Sequence, residues 1–229
     1  MRGLYAIVDV ELLHLCRVDP VAFARAVLRT RPAALQVRAK ASPAHEMLGL
    51  LRDLHPLCRQ VGVPLVANDQ PELAALASCD IVHLGQADDS IARVRRKFPR
   101  LGVGLSTHSL SQLDAALAER PTYVAYGPVY STHTKPSAGP AVGVVELGAA
   151  HARAASAGIP LVAIGGITRA RAVELVGSAE AVAAISELVP RRRGPKPEPV
   201  EWLHAVTERA RALHDLFSGR GERLTHRAS

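Results

Sequence analysis

Apolar residues in this chain come in short, nearly continuous runs. Longer stretches separate them, in which apolar positions recur every three or four residues. The runs are "LYAIVD" (4–9), "ALQVR" (34–38), "PLVAN" (64–68), "DIVHLG" (80–85), "LGVGLS" (101–106), "TYVAYG" (122–127), "PLVAIGG" (160–166) and "EAVAAIS" (180–186). Runs of this length without alternation read as strands buried on both faces. The intervening segments read as helices. In "DPVAFARAVLRT", Asp19 is placed to cap and Pro20 to open the helix. "SPAHEMLGLLRDLHPLCRQ" repeats the design, with Ser42 as the expected cap, Pro43 after it and Glu46 in the first turn. "SLSQLDAALAER" and "TRARAVELVG" start at Ser109 and Thr168, and the second is expected to stop at Gly177.

Eight strands alternating with helices imply parallel βαβ units. Eight such units in about 200 residues fit a single (β/α)8 TIM barrel. A doubly wound open sheet would usually carry a glycine-rich turn after its first strand, and "VDVELLHLC" has none. The barrel is therefore predicted over residues 1–189. Beyond it the pattern changes. "PRRRGPKPEP" (190–199) reads as an exposed Pro/Arg-rich linker. "VEWLHAVTERARALHDLF" (200–217) reads as an amphipathic helix with Trp202, Val206, Leu213 and Phe217 near one stripe, expected on the outside of the barrel or across its bottom. The last twelve residues are expected to be disordered.

Composition narrows this picture in three ways. With 48% hydrophobic but only 3% aromatic residues, the core must be built from Ala, Val, Leu and Ile. No apolar run approaches the ~20 residues of a membrane span, and the apolar start is too short for a secretory signal. Cys16, Cys58 and Cys79 make neither a disulfide framework nor a metal motif, which suits a reducing cytoplasm. The net charge of +7 suggests a polynucleotide, but residues 190–229 hold nine Lys/Arg against five Asp/Glu, so most of the excess lies in the tail. Neither a stacking platform of aromatics nor zinc-finger spacing accompanies it. An RNA-associated role would then rest on the tail alone.

In such a barrel the chemistry sits at the C-terminal ends of the strands. Strand two ends with Gln36, Arg38 and Lys40 at i, i+2 and i+4, which an extended chain points the same way. Two cations and an amide there suit a polyanion such as pyrophosphate, although a solvated strand end is the plainer reading. Strands three and four bring Asn68 and Asp69, then Asp88 and Asp89. Asp69 and Asp88 could share one Mg²⁺, or Asp88 or Asp89 could cap the next helix. Strand five ends in Ser106, Thr107, His108 and Ser109. Ser106 or Ser109 could cap a helix there, and His108 could shuttle a proton or be structural. After strand six, "GPVYSTHTKPSAGP" (127–140) concentrates Ser131, Thr132, His133, Thr134 and Lys135 on a loop stiffened by proline and glycine. Strands seven and eight end in Gly165, Gly166 and Ser186, a neutral phosphate cradle of backbone and hydroxyl groups. One rim thus offers a cationic anion site and a neutral one, as the joining of two phosphorylated substrates would need.

The ordered set "QVRAK", "AND", "HLGQAD", "STH", "YGPVYSTHTK", "AIGGI" and "AIS" resembles the thiamine-phosphate synthase family over about residues 4–188. The resemblance implies joining 4-amino-5-hydroxymethyl-2-methylpyrimidine diphosphate to a thiazole phosphate, giving thiamine monophosphate and pyrophosphate. It implies that Gln36, Arg38, Lys40, Asn68, Ser106 and Lys135 hold the pyrimidine diphosphate, with Lys135, Ser106 and Arg38 nearest the chemistry. It implies Asp69 and Asp88 as ligands of a Mg²⁺ cofactor. Thr132, His133, Thr134, Gly166, Ile185 and Ser186 would hold the thiazole phosphate. The expected partners are small phosphorylated molecules in the cytoplasm, with homo-oligomerisation compatible and neither membrane nor nucleic acid required. A relative that isomerises the thiazole carboxylate phosphate shares the barrel and would use a histidine at the place of His108, but it has no need of the diphosphate- and metal-binding features. The chain departs from the family pattern at Ala39, where a glutamate is usual, at Gln70, where an arginine is usual, and at Glu187, which must point away from a phosphate site beside it.

Overall fold

The computed structural model describes residues 1–132, 139–190 and 199–219. Its strands are β1 (Gly3–Asp9), β2 (Ala34–Arg38), β3 (Leu65–Asn68), β4 (Ile81–Leu84), β5 (Gly102–Thr107), β6 (Tyr123–Tyr126), β7 (Leu161–Ala163) and β8 (Ala181–Ala184). All eight pair in parallel with their sequence neighbours, and β8 returns to β1 to close the barrel. Closure explains the uninterrupted apolar runs. Every residue of β1 is buried, because one face packs inside the barrel and the other under helices. The observed strands match the eight predicted ones to within a few residues at each end.

The helices are α1 (Val10–Leu15), α2 (Pro20–Leu28), α3 (Ala44–Val61), α4 (Pro71–Leu76), α5 (Ile91–Lys97), α6 (Leu110–Ala118), α7 (Gly143–Ser156), α8 (Arg169–Ala172) and α9 (Pro199–Phe217). Asp19 caps α2, accepting from the Val21 and Ala22 amides. Ser109 caps α6 and Thr168 caps α8. Ser42 does not cap α3. The helix starts one residue later, so Pro43 takes the cap position with no side-chain bond, and its carbonyl receives the Glu46 and Met47 amides. The segment from Thr168 is also shorter as an α-helix than expected. It tightens into a 3-10 turn at Val173–Leu175, which buries Leu175, and Gly177 ends it with φ +87°.

The predicted C-terminal helix lies outside the barrel, at the seam where the ring of strands closes. Val206, Ala210, Leu213 and Phe217 are buried along one face. Trp202 packs tilted against Phe23 of α2, with 6.3 Å between ring centroids. The Thr207 hydroxyl donates to the Ala26 carbonyl at 3.0 Å, and the Leu4 amide of β1 donates to His214 Nδ1 at 3.4 Å. The segment thus supplies the outer helix that follows β8. Most of the linker and of the expected disordered tail lies outside the described residues. Among the described residues no helix is long and apolar enough to cross a membrane.

Inside the barrel, alanines and the branched Ile7, Val66, Ile81 and Val162 surround two tyrosines. Ala34, Ala125, Ala181 and Ala183 leave room that Tyr5 and Tyr123 fill, with their rings 5.4 Å apart. Gly104 of β5 makes the remaining space, since a Cβ there would stand 2.5 Å from the Tyr123 hydroxyl and overlap the ring. Gly104→Ala should therefore destabilise by about 1–3 kcal/mol, the cost of overpacking a filled core. A thermal melt would read this as a lower Tm, and an unchanged Tm would mean that the Tyr123 ring has somewhere to go. Cys58 and Cys79 are buried in the core, while Cys16 is half-buried. Burial, followed by the nearby Asp80, pushes the Cys58 and Cys79 thiols up to about 12, so they persist as inert thiols.

Candidate active site

A cavity of about 420 Å³ opens at the C-terminal ends of the strands, and each strand or the segment just after it contributes to its lining. Gln36, Arg38, Lys40, Asn68, Asp69, Asp88, Ser106, Thr132, Gly166, Ile185 and Ser186 all face it. These are the expected residues among those described. His133, Thr134 and Lys135 lie outside the described residues.

One wall is cationic and prearranged. Arg38 NH1 meets Asp9 Oδ2 at 2.6 Å, while Asp9 Oδ1 caps α1 by accepting from the Leu12 amide at 3.0 Å. A single buried carboxylate thus anchors both the guanidinium and the next helix. It leaves most of the five guanidinium donors for the cavity. Lys40 Nζ sits 3.0 Å from Asp69 Oδ2. Asp69 holds the left-handed φ of +61° at the end of β3, which turns its carboxylate across to β2. Asp88 Oδ2 accepts from the Gly85 amide at 2.6 Å. Neither Asp88 nor Asp89 caps α5; Ser90 does, and Asp89 instead pairs with Arg93 at 3.4 Å.

The opposite wall is neutral and made of backbone. Gly165 and Gly166 adopt φ of +100° and +62°. A Cβ on Gly165 would stand 2.5 Å from Pro128 Cα, and one on Gly166 2.6 Å from the Ser131 carbonyl. The loop after β6 is stitched to the end of β7 by two amides, Val129 to the Ile164 carbonyl at 2.8 Å and Tyr130 to the Gly165 carbonyl at 3.1 Å. Arg171 clamps the same turn from outside. Its guanidinium lies 4.7 Å over the Tyr130 ring and donates to the Gly166 carbonyl at 2.8 Å. His108 Nδ1 lies 2.5 Å from the Gly127 carbonyl, so a protonated Nδ1 donates there and the ring braces the start of that loop.

The floor holds polar groups that the apolar runs concealed. Tyr5, Tyr123 and His83 sit inside the barrel, bonded to one another and to Gln36 and Ser106. Burial holds both phenols well above their usual value. The signal that could have found His83 is its place in "DIVHLG", two residues before Gly85 and so on the same inward face.

Residues 4–188 match the family model described as thiamine monophosphate synthase. The chain belongs to that family. Thiamine-phosphate synthase from Roseiflexus sp. (strain RS-1) is 37% identical over 195 residues, 82% of this chain and 80% of the relative. The enzyme of the same name from Geobacillus thermodenitrificans is 40% identical over 158 residues, 67% of this chain and 70% of the relative. The solved thiamine phosphate pyrophosphorylase from Pyrococcus furiosus superposes with a TM-score of 0.78 at 25% identity, covering 95% of this chain and 96% of that one.

Against this family two of the departures acquire a structural account. The carboxylate missing at Ala39 has a neighbour from another element. Glu11 of α1 accepts from the Ala41 amide at 2.8 Å, and its Oε2 stands 3.9 Å from Arg38 NH1. Glu187 turns outward to Arg209 of α9, whose NH1 lies 3.4 Å from its carboxylate and 3.0 Å from its carbonyl. Its charge is thereby held off the cavity. Nothing in the structure explains Gln70, which takes the cap position of α4 without a side-chain bond.

Proposed function

We propose that this chain is a thiamine-phosphate synthase, joining 4-amino-5-hydroxymethyl-2-methylpyrimidine diphosphate to 4-methyl-5-(2-phosphoethyl)thiazole with release of pyrophosphate, or to its carboxylate with release of carbon dioxide as well. The observation that carries this reading is the pairing of a cationic wall and a neutral glycine wall across one cavity. Arg38 and Lys40, with Lys135, hold the diphosphate, and Gln36, Asn68 and Ser106 hold the pyrimidine end. Thr132, His133, Thr134, Gly166, Ile185 and Ser186 take the acceptor phosphate. The C–O bond of the pyrimidine methylene breaks with its electron pair leaving on pyrophosphate. The thiazole nitrogen then supplies the pair for the new C–N bond. Such a step needs little acid–base chemistry but does need charge held ready at the leaving group and a nucleophile held in line.

The residues present fit a Mg²⁺ ion. Asp69 and Asp88 each spend Oδ2 on a protein partner, which leaves Oδ1 of both without a hydrogen bond among the described residues. Magnesium favours one or two carboxylates with phosphate oxygens and water, and it would supply charge neutralisation to the leaving diphosphate. The working partners on this reading are small phosphorylated molecules of the cytoplasm. No polynucleotide is involved.

The test mixes the purified chain with both phosphorylated substrates and Mg²⁺. The expected result is thiamine monophosphate and pyrophosphate in equal amounts, lost on chelation of the metal. Tight binding of thiazole phosphate with no product would sink the synthase reading.

A further inference from the structure

Gln36 and Ser106 both face the cavity, but from different strands, and a line of buried hydrogen bonds joins them beneath its floor. Gln36 Nε2 donates to the Tyr5 hydroxyl at 3.2 Å. Tyr5 and Tyr123 hydroxyls are 2.6 Å apart. The Tyr123 hydroxyl lies 2.7 Å from His83 Nδ1, and His83 Nε2 lies 2.8 Å from Ser106 Oγ. Tyr5 and Tyr123 are 2% and 0% exposed and neither lines the cavity, so neither phenol has water to fall back on. Buried polar groups of this kind are bonded almost without exception.

Each phenol has one hydrogen to give, so the sense of the line is set at its start. Tyr5 oxygen accepts from Gln36, and its hydrogen goes to Tyr123 oxygen. The Tyr123 hydrogen then goes to His83 Nδ1, which must be bare. The ring proton of a neutral His83 is left on Nε2, where it donates to Ser106 Oγ. His83 is the one side-chain partner of Ser106 Oγ among the described residues, so the hydroxyl hydrogen of Ser106 turns toward the cavity.

We propose that His83 is a positioning residue, held by Tyr123 as its Nε2–H tautomer, that commits Ser106 to donate a hydrogen bond into the cavity. A bound substrate must then present an acceptor at Ser106, a ring nitrogen or an anionic oxygen, and a donor placed there is rejected. Gln36 and Ser106 also become a matched pair. Were the Gln36 carbonyl to face Tyr5, every bond would reverse and the Ser106 hydrogen would be spent on His83. The consequence for rate rests on the synthase reading; the tautomer does not.

Two measurements test this. Long-range proton–nitrogen spectra of the 15N-labelled chain near neutral pH should show His83, assigned by its loss in His83→Gln, as neutral with a bare Nδ1. Tyr123→Phe should then lower kcat about 10- to 100-fold with KM little changed, and adding it to Ser106→Ala should cost nothing further. A His83 that carries its proton on Nδ1, or on both nitrogens, overturns the proposal, as does a full multiplicative loss in the double variant. If the unaltered chain makes no thiamine monophosphate, the synthase reading fails and the spectra alone decide the assignment of His83.

Discussion

Arg38→Ala should reduce kcat/KM by about 10²–10³-fold, the range for removing one preorganised charge-stabilising donor. Arg38 is the cation that the protein itself has fixed, 2.6 Å from a carboxylate only 5% exposed. Its other donors need no reorganisation when a diphosphate arrives. Arg38→Lys should recover little, because an ammonium cannot both hold Asp9 and present a planar fork to phosphate. Removing the guanidinium also strips Asp9 of its charged partner and should cost about 1.5–3 kcal/mol of stability, with Tm falling by several degrees. Steady-state kinetics well below that Tm separate the two effects. An Arg38→Ala enzyme of normal kcat/KM would remove Arg38 from the leaving-group site.

Gly165→Ala should be the most damaging small change on the opposite wall. The new Cβ stands 2.5 Å from Pro128 Cα, on backbone that has no rotamer with which to yield, and the residue keeps φ +100°. Left-handed strain and overpacking each cost about 1–3 kcal/mol. Together they should lower Tm by about 4–24 °C. The clash also pushes the two loops apart where the acceptor phosphate is proposed to bind, so KM for the thiazole phosphate should rise sharply. Gly148→Ala is the control. It lies within α7 with nothing within 4 Å of its would-be Cβ, and there alanine should stabilise by up to about 1 kcal/mol. Equal melting temperatures for the two variants would show that the turn is not constrained as described.

The parts of this site that could be read in the sequence share one property: they lie in the C-terminal part of a strand or just beyond it. Once eight apolar runs imply a barrel, the fold says where to look, and Gln36, Arg38, Asn68, Asp69, Ser106 and Gly166 stand at those places. What escaped notice depends on neighbours far apart in the chain. Tyr5 and Tyr123 are 118 residues apart and read as ordinary core aromatics within apolar runs. Only the closed ring of parallel pairings brings their hydroxyls together. His83 hid for the same reason. Glu11 reaches the end of β2 across a strand boundary, and the partner of Glu187 is 22 residues away on α9. The cap of α3 is a local matter, in which two adjacent residues, Ser42 and Pro43, compete for one position.

The closing of the ring also sets an order of events at the ribosome. β1 is made first, yet its second strand neighbour is β8, and its Leu4 amide meets a histidine 210 positions later. At about 5–20 residues per second, β1 waits roughly 9–36 s with one edge unpaired. An unpaired apolar edge is a template for the wrong partner. For that interval the edge of β1 lies open, and a chain stopped short of β8 would leave it unpaired.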